Sequence, residues 1–207
     1  MGWFTPLLAM VFGFVLADRL VRDRKLGVAP LLDVTPSSRG ARLLGKYLGS
    51  CAATAVPPAL VYLIVAVTFA VWRGKPAALL WGIGTFAAVV VPLLLLTGAF
   101  AFLLPQVMPT ALFRALVVGV WFWAGATEVE SQFPSLAATV LSLTIDYPQK
   151  VFFASTNPTA GPYPGAALNV LRPLPTTMTA LLSLALLLAI AAVILAAARA
   201  LSARTSE

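Results

Sequence analysis

From Thr176 to Ala198 the chain carries no charged side chain, and residues 3–17, 47–72 and 77–104 share that property. Residues 111–127 carry only Arg114, close to their start. A bilayer hydrocarbon layer of about 30 Å is crossed by about 20 apolar residues of helix. A Lys, Arg or Asp at the centre of such a helix costs about 2.5 to 3.5 kcal/mol. Long uncharged runs of this kind therefore predict membrane spans. Five are expected: 3–17, 47–72, 77–104, 111–127 and 176–198, in one all-α, multi-pass helical bundle. Hydrophobic residues make up 60% of the chain, charged residues 10%, and mean hydropathy is +0.95. A soluble domain carries about 25% charged residues, so a polar surface large enough for water is not available.

The basic residues set the expected orientation. With the amino terminus outside, the cytoplasmic side receives Arg19, Arg22, Arg24, Lys25, Arg39, Arg42, Lys46, Arg114, Arg199 and Arg204. The outer side receives only Arg73, Lys75, Lys150 and Arg172, which is the asymmetry that the positive-inside rule demands. Trp3, Trp72, Trp81 and Trp123 fall near the outer ends of their runs, as an interfacial belt places them. The net charge of +7 belongs to this cytoplasmic face and its anionic headgroups; no basic groove with interleaved aromatics points to nucleic acid. No Lys or Arg precedes Asp18, so the first run lacks the basic start of a signal peptide and is kept as a span. A cell-membrane protein with a cytoplasmic carboxyl terminus is expected.

Two connections stand out. Residues 18–46 hold seven of the fourteen basic residues, and Leu26, Val28, Leu31, Leu32 and Val34 form an apolar group flanked by Arg24, Lys25 and Asp33. That pattern predicts a short amphipathic helix on the membrane surface or against a partner. Pro36 stops it, and Ser37 or Ser38 caps a second helix that continues into the membrane. The other connection, 128–175, is external in this topology and contains seven prolines. Within it, residues 136–145 (LAATVLSLTI) are too short to span and predict an interfacial or re-entrant helix.

Little in the chain carries chemistry. Gly40 to Lys46 reads Gly-x-x-x-x-Gly-Lys, one residue short of a phosphate loop, but Tyr47 replaces the Ser or Thr that would hold magnesium, and no strand precedes it. Histidine is absent, which removes the commonest acid-base group and most zinc and haem sites. The single cysteine, Cys51, rules out an internal disulfide. Acidic residues lie at loops or span ends, and Glu128 and Glu130 read as a solvated helix end rather than a carboxylate pair. Thr54, Thr68, Thr85 and Thr97 have no base beside them and are expected to bond between helices. Pro57, Pro58 and Pro92 are expected to kink their helices. No catalytic, metal or cofactor site is expected on this chain.

One segment resembles a known family. The run RDRKLGVAPLLDVTPSSRGARLLGKYLGS, Arg22 to Ser50, is similar to the cytoplasmic segment of ABC-2 type transporter permeases. There a Leu-Leu-x-x-Thr-Pro-x-Ser-Arg element leads to a Gly-Lys pair at the mouth of the next span. Leu31, Leu32, Thr35, Pro36, Ser38, Arg39, Gly45 and Lys46 match in order. The resemblance implies that the helix around Gly27 to Val34 is a coupling helix docking on a separate ATP-binding subunit, which would hold the ATP and magnesium. Leu26, Val28, Leu31 and Leu32 would fill the docking groove, with Arg24, Lys25, Asp33 and Arg39 at its rim. A second permease chain, identical or not, would complete the membrane path. The family has six spans, so the five counted here imply a fold lacking its first helix. A membrane scaffold whose segment 24–36 binds lipid or a partner is the alternative.

Overall fold

The computed structural model describes residues 4–17, 39–126, 136–154, 160–162 and 168–204. These residues are all-helical, with no strand among them. In chain order the helices are α1 (Phe4–Ala17), α2 (Arg39–Arg73), α3 (Ala77–Thr85), α4 (Val91–Val107), α5 (Thr110–Ala126), α6 (Asp146–Phe153) and α7 (Thr177–Arg204). A π-helical turn, Phe86–Val90, joins α3 to α4, and a 3₁₀ turn, Asn169–Leu171, precedes α7.

The described residues of each expected run are helical apart from Thr176, the 77–104 run through α3, the π turn and α4 together. Three helical stretches are long and apolar enough to cross a membrane: Gly40–Arg73, Ala77–Val107 and Thr177–Leu201. Leu7–Ala17 and Thr110–Ala124 are apolar but shorter. The whole is consistent with a membrane helical protein.

α4 is the axis of the bundle. Of the most apolar stretch of Ala77–Val107, 61% is buried, against 17% for Gly40–Arg73 and 22% for Thr177–Leu201. α7 and α1 pack on α4, α5 packs mainly on α1, and α2 lies chiefly against α3. The outward face of α2, with Val61, Leu63, Ile64 and Val65, stays exposed. Lipid tails are as apolar as leucine, so between helices in a bilayer the attraction comes from close packing and hydrogen bonds rather than from water release. Small residues at the crossings let that packing happen. A Cβ placed on Gly98 of α4 would stand 2.8 Å from Cys51 Sγ, 3.2 Å from Tyr47 Cε2 and 3.4 Å from Leu16 Cδ1. Three helices therefore meet at one missing side chain. Tyr47 adds a hydrogen bond from its hydroxyl to the Leu95 carbonyl (2.7 Å) and an edge-on contact with Phe102.

The prolines act differently from one another. α2 runs unbroken through Pro57 and Pro58. Ahead of Pro92, by contrast, the π turn intervenes, and the Val91 N–H reaches the Phe86 carbonyl five residues back. Pro92 has no N–H to give and its ring crowds the preceding turn, so a widened turn at this place relieves the ladder. The threonines also depart from expectation. Thr54 and Thr85 do not bridge helices; each hydroxyl bonds the carbonyl four residues back on its own helix, Ser50 and Trp81, both at 2.8 Å.

Residues 136–145 form no helix. They fold as successive turns, with Ala138 and Ile145 in the left-handed region at φ 61° and 59°. The expected interfacial or re-entrant helix is absent from 136–145 because the Thr139, Ser142 and Asp146 side chains give its backbone groups alternative partners.

Replacing Gly98 with Val forces a branched side chain into the three-helix crossing. It is expected to cost about 1 to 3 kcal/mol, read as a fall of roughly 2 to 4 °C per kcal/mol in the thermal midpoint of the detergent-solubilised protein. An unchanged midpoint would contradict the crossing.

Candidate functional site

Contacts place the helix ends. The Gln149 side chain reaches Thr5 at the start of α1, and Arg199 near the end of α7 lies over Gly40 at the start of α2. One end of the bundle thus carries the beginning of α2 and the end of α7. The other carries the start of α1 and the connection before α7.

At the first end the α2 helix begins at Arg39. A Cβ on Gly40 would stand 2.9 Å from Arg199 Nε and 3.0 Å from its Cζ. The guanidinium therefore crosses the first turn of α2 where a side chain is absent. The segment GARLLGKY is plain α-helix, with Tyr47 buried against α4. Its glycines and lysine do not form a loop around a phosphate. Of the predicted coupling residues, only Arg39 falls within the described residues, as the first residue of α2. Arg24, Lys25, Leu26, Gly27, Val28, Leu31, Leu32, Asp33, Thr35 and Pro36 lie outside them, as do Glu128 and Glu130.

At the opposite end a polar cap is built around Asp146, which sequence reasoning passed over as one more loop carboxylate. Its carboxylate accepts hydrogen bonds from the Ala138 N–H (3.0 Å), the Thr144 hydroxyl (2.7 Å) and the Ser142 hydroxyl. The spacing Ser142-x-Thr144-x-Asp146 was the available signal, since alternate short polar side chains favour turns over helix. The cap is tied down on all sides. Val140 N–H bonds the Leu171 carbonyl, Tyr147 hydroxyl the Pro173 carbonyl, and Lys150 Nζ the Ala160 carbonyl. Gln149 Nε2 also bonds the Thr144 carbonyl (2.7 Å), and Phe153 packs edge-on to Trp81.

Arg172 is buried in the same cap, only 4% exposed, with one nitrogen on the Ala137 carbonyl at 3.1 Å. Its Nε and Nη1 meet no hydrogen-bond acceptor among the described residues. Burial raises the Tyr147 pKa above its usual 10, against the pull of the nearby Arg172 charge and of the Gly161 N–H.

Between α4 and α5 lies a cavity of about 150 Å³. Thr97, Phe100 and Leu104 line it from α4; Phe113, Val117 and Trp121 line it from α5. Leu116 and Val120 form its rim and Leu143 closes it from the cap side. The spacing 113, 116, 117, 120, 121 is one face of a helix, opposite the 97, 100, 104 stripe of α4. No cluster of three metal-ligating side chains exists among the described residues. The arrangement offers an apolar cavity, a hydrogen-bonded polar cap and a helix start braced by a neighbouring arginine; among the described residues it assembles no acid-base pair.

Compared with protein-family models, curated proteins and solved structures, the chain finds no match in any of the three.

Two outcomes follow for the cap. Substituting Asp146 with Ala removes an acceptor of three hydrogen bonds, each worth about 1.5 to 3 kcal/mol when the acceptor is charged. Amide exchange across 138–144 is expected to rise by at least about tenfold, which corresponds to about 1.4 kcal/mol of local opening; exchange unchanged there would refute the organising role. The second concerns pH. A hydroxyl whose folded pKa is raised contributes stability that is fully present below about pH 10 and lost as pH rises through the folded value. Protease cleavage within 127–176 is expected to accelerate above pH 10 in the parent protein, and Tyr147→Phe is expected to flatten that rise.

Proposed function

We propose that the chain is the membrane permease subunit of an ATP-binding-cassette transporter of the ABC-2 type, an exporter. The carrying observation is the run from Arg22 to Ser50, whose Leu31, Leu32, Thr35, Pro36, Ser38, Arg39, Gly45 and Lys46 follow that family's order. The helical architecture supports the reading in two ways. The run leads straight into α2, the longest helix among the described residues. Arg199 of α7 lies over the first turn of α2, so a push on the segment before Arg39 reaches two long helices at once.

In this reading the five apolar helices span a cell membrane, with α1 starting outside and α7 ending in the cytoplasm, and the Asp146 cap lies outside. The coupling segment docks by Leu26, Gly27, Val28, Leu31 and Leu32 on a partner ATPase, with Arg24, Lys25, Asp33 and Arg39 around them and Thr35–Pro36 ending the helix. ATP and magnesium bind to that partner. Closure of two such ATPases moves two permease chains against each other. The chain itself does no covalent chemistry.

Purification in mild detergent is expected to recover an ATPase that carries its own phosphate loop. Replacing both Leu31 and Leu32 with Asp buries charge in an apolar groove, at a cost of several kcal/mol. It is expected to lower stimulation of that ATPase by about tenfold or more, while membrane insertion is unchanged. Full stimulation by the double variant would overturn the coupling role, and recovery of other partners without an ATPase would point instead to a scaffold.

A further inference from the structure

We propose that the cavity between α4 and α5 is a binding site for the hydrocarbon end of a lipid acyl chain that enters sideways from the bilayer. The proposal rests on reading the chain as a membrane protein and is independent of the ATPase partner.

The cavity has a structural cause. Val117 of α5 leans into the notch left by Gly13 of α1, where its Cγ1 would be 2.8 Å from an added Cβ. That contact draws α5 onto α1, and α5 packs only lightly against α4. Phe113 and Trp121, buried on either side of Val117, hold the gap open along α5.

The lining selects the occupant. Among the lining side chains only Thr97 and Trp121 carry a polar atom and none is charged; the Thr97 hydroxyl meets no hydrogen-bond partner among the described residues. A buried water needs two to four polar partners, more than this lining supplies at one place, and an apolar cavity of about 150 Å³ suits a small hydrocarbon instead. A lipid headgroup would find no partner within it. Leu116 and Val120 at the rim are each 42% exposed, and Leu112 and Phe122 beside them on α5 are more exposed still. The mouth therefore opens on an apolar surface, and in a bilayer the neighbour at such a surface is an acyl chain. The volume admits one short segment of a chain, not a whole lipid.

The test uses the full chain in phosphatidylcholine nanodiscs containing a trace of phosphatidylcholine with a diazirine near the methyl end of one acyl chain. After illumination, labelled residues are mapped by mass spectrometry. Label is expected on the buried side chains Phe113, Val117 or Trp121, as well as on the exposed α2 face at Val61, Ile64 and Val65. Leu116→Trp, which fills the mouth, is expected to lower the label on the buried side chains at least fivefold and leave the α2 label unchanged; Val120→Trp serves if the first variant does not fold. Label on α2 with none in the cavity overturns the site, as does cavity label indifferent to both tryptophan variants. Absence of label on α2 as well overturns the membrane reading and this proposal with it.

Discussion

The close approach at Gly98 is the contact on which the rest of the bundle depends. Helices in lipid gain nothing from expelling water from between them, so they must come near enough for dispersion to accumulate and for polar groups to pair. At Gly98 the absent side chain brings α1, α2 and α4 together, and Tyr47 turns that nearness into a hydrogen bond on the Leu95 carbonyl. The same economy recurs at Gly13, where Val117 brings α5 to α1. α5 lies closer along its length to α1 than to α4, which it touches only lightly. A tight crossing on one side of α5 and a void on the other are two results of one packing choice.

Much of this architecture was legible in the chain. Uncharged runs locate the helices because charge in hydrocarbon is costly, and that penalty outweighs local propensity. The failures share a cause. Apolar content predicts a helix over 136–145, yet Thr139, Ser142 and Asp146 decide the backbone there by taking its hydrogen bonds. Thr54 and Thr85, expected to reach neighbouring helices, bond instead the Ser50 and Trp81 carbonyls one turn back on their own helices. In each case a short polar side chain found its partner within a few residues, and hydropathy does not register such contacts. The cavity was invisible for a different reason: it depends on the angle between two helices, which a stripe of Phe, Leu and Val records on each helix but not between them.

The transport reading gives the two ends of the bundle different mechanical characters. The cap around Asp146 is cross-linked by hydrogen bonds to several elements and suits a fixed floor. At the opposite end the Arg199 side chain over Gly40 joins the start of α2 to α7. In that reading a displacement of the start of α2 would carry α7 with it and be resisted at the cap.

The π turn from Phe86 to Val90 carries a further consequence. An α-helix advances about 100° per residue, so one residue more in a turn rotates everything beyond it by about that angle relative to an uninterrupted helix. Before the turn, Leu80, Trp81 and Ile83 look outward; after it, Leu93, Leu94 and Leu96 are buried. The exposure changes all round the helix rather than from face to face: no residue of α3 is buried, whereas Pro92 to Leu94 and Leu96 to Ala99 of α4 are buried in succession. One continuous rod therefore lies at the perimeter before the turn and at the axis after it, and the extra residue sets the direction in which Gly98 meets Tyr47 and Leu16.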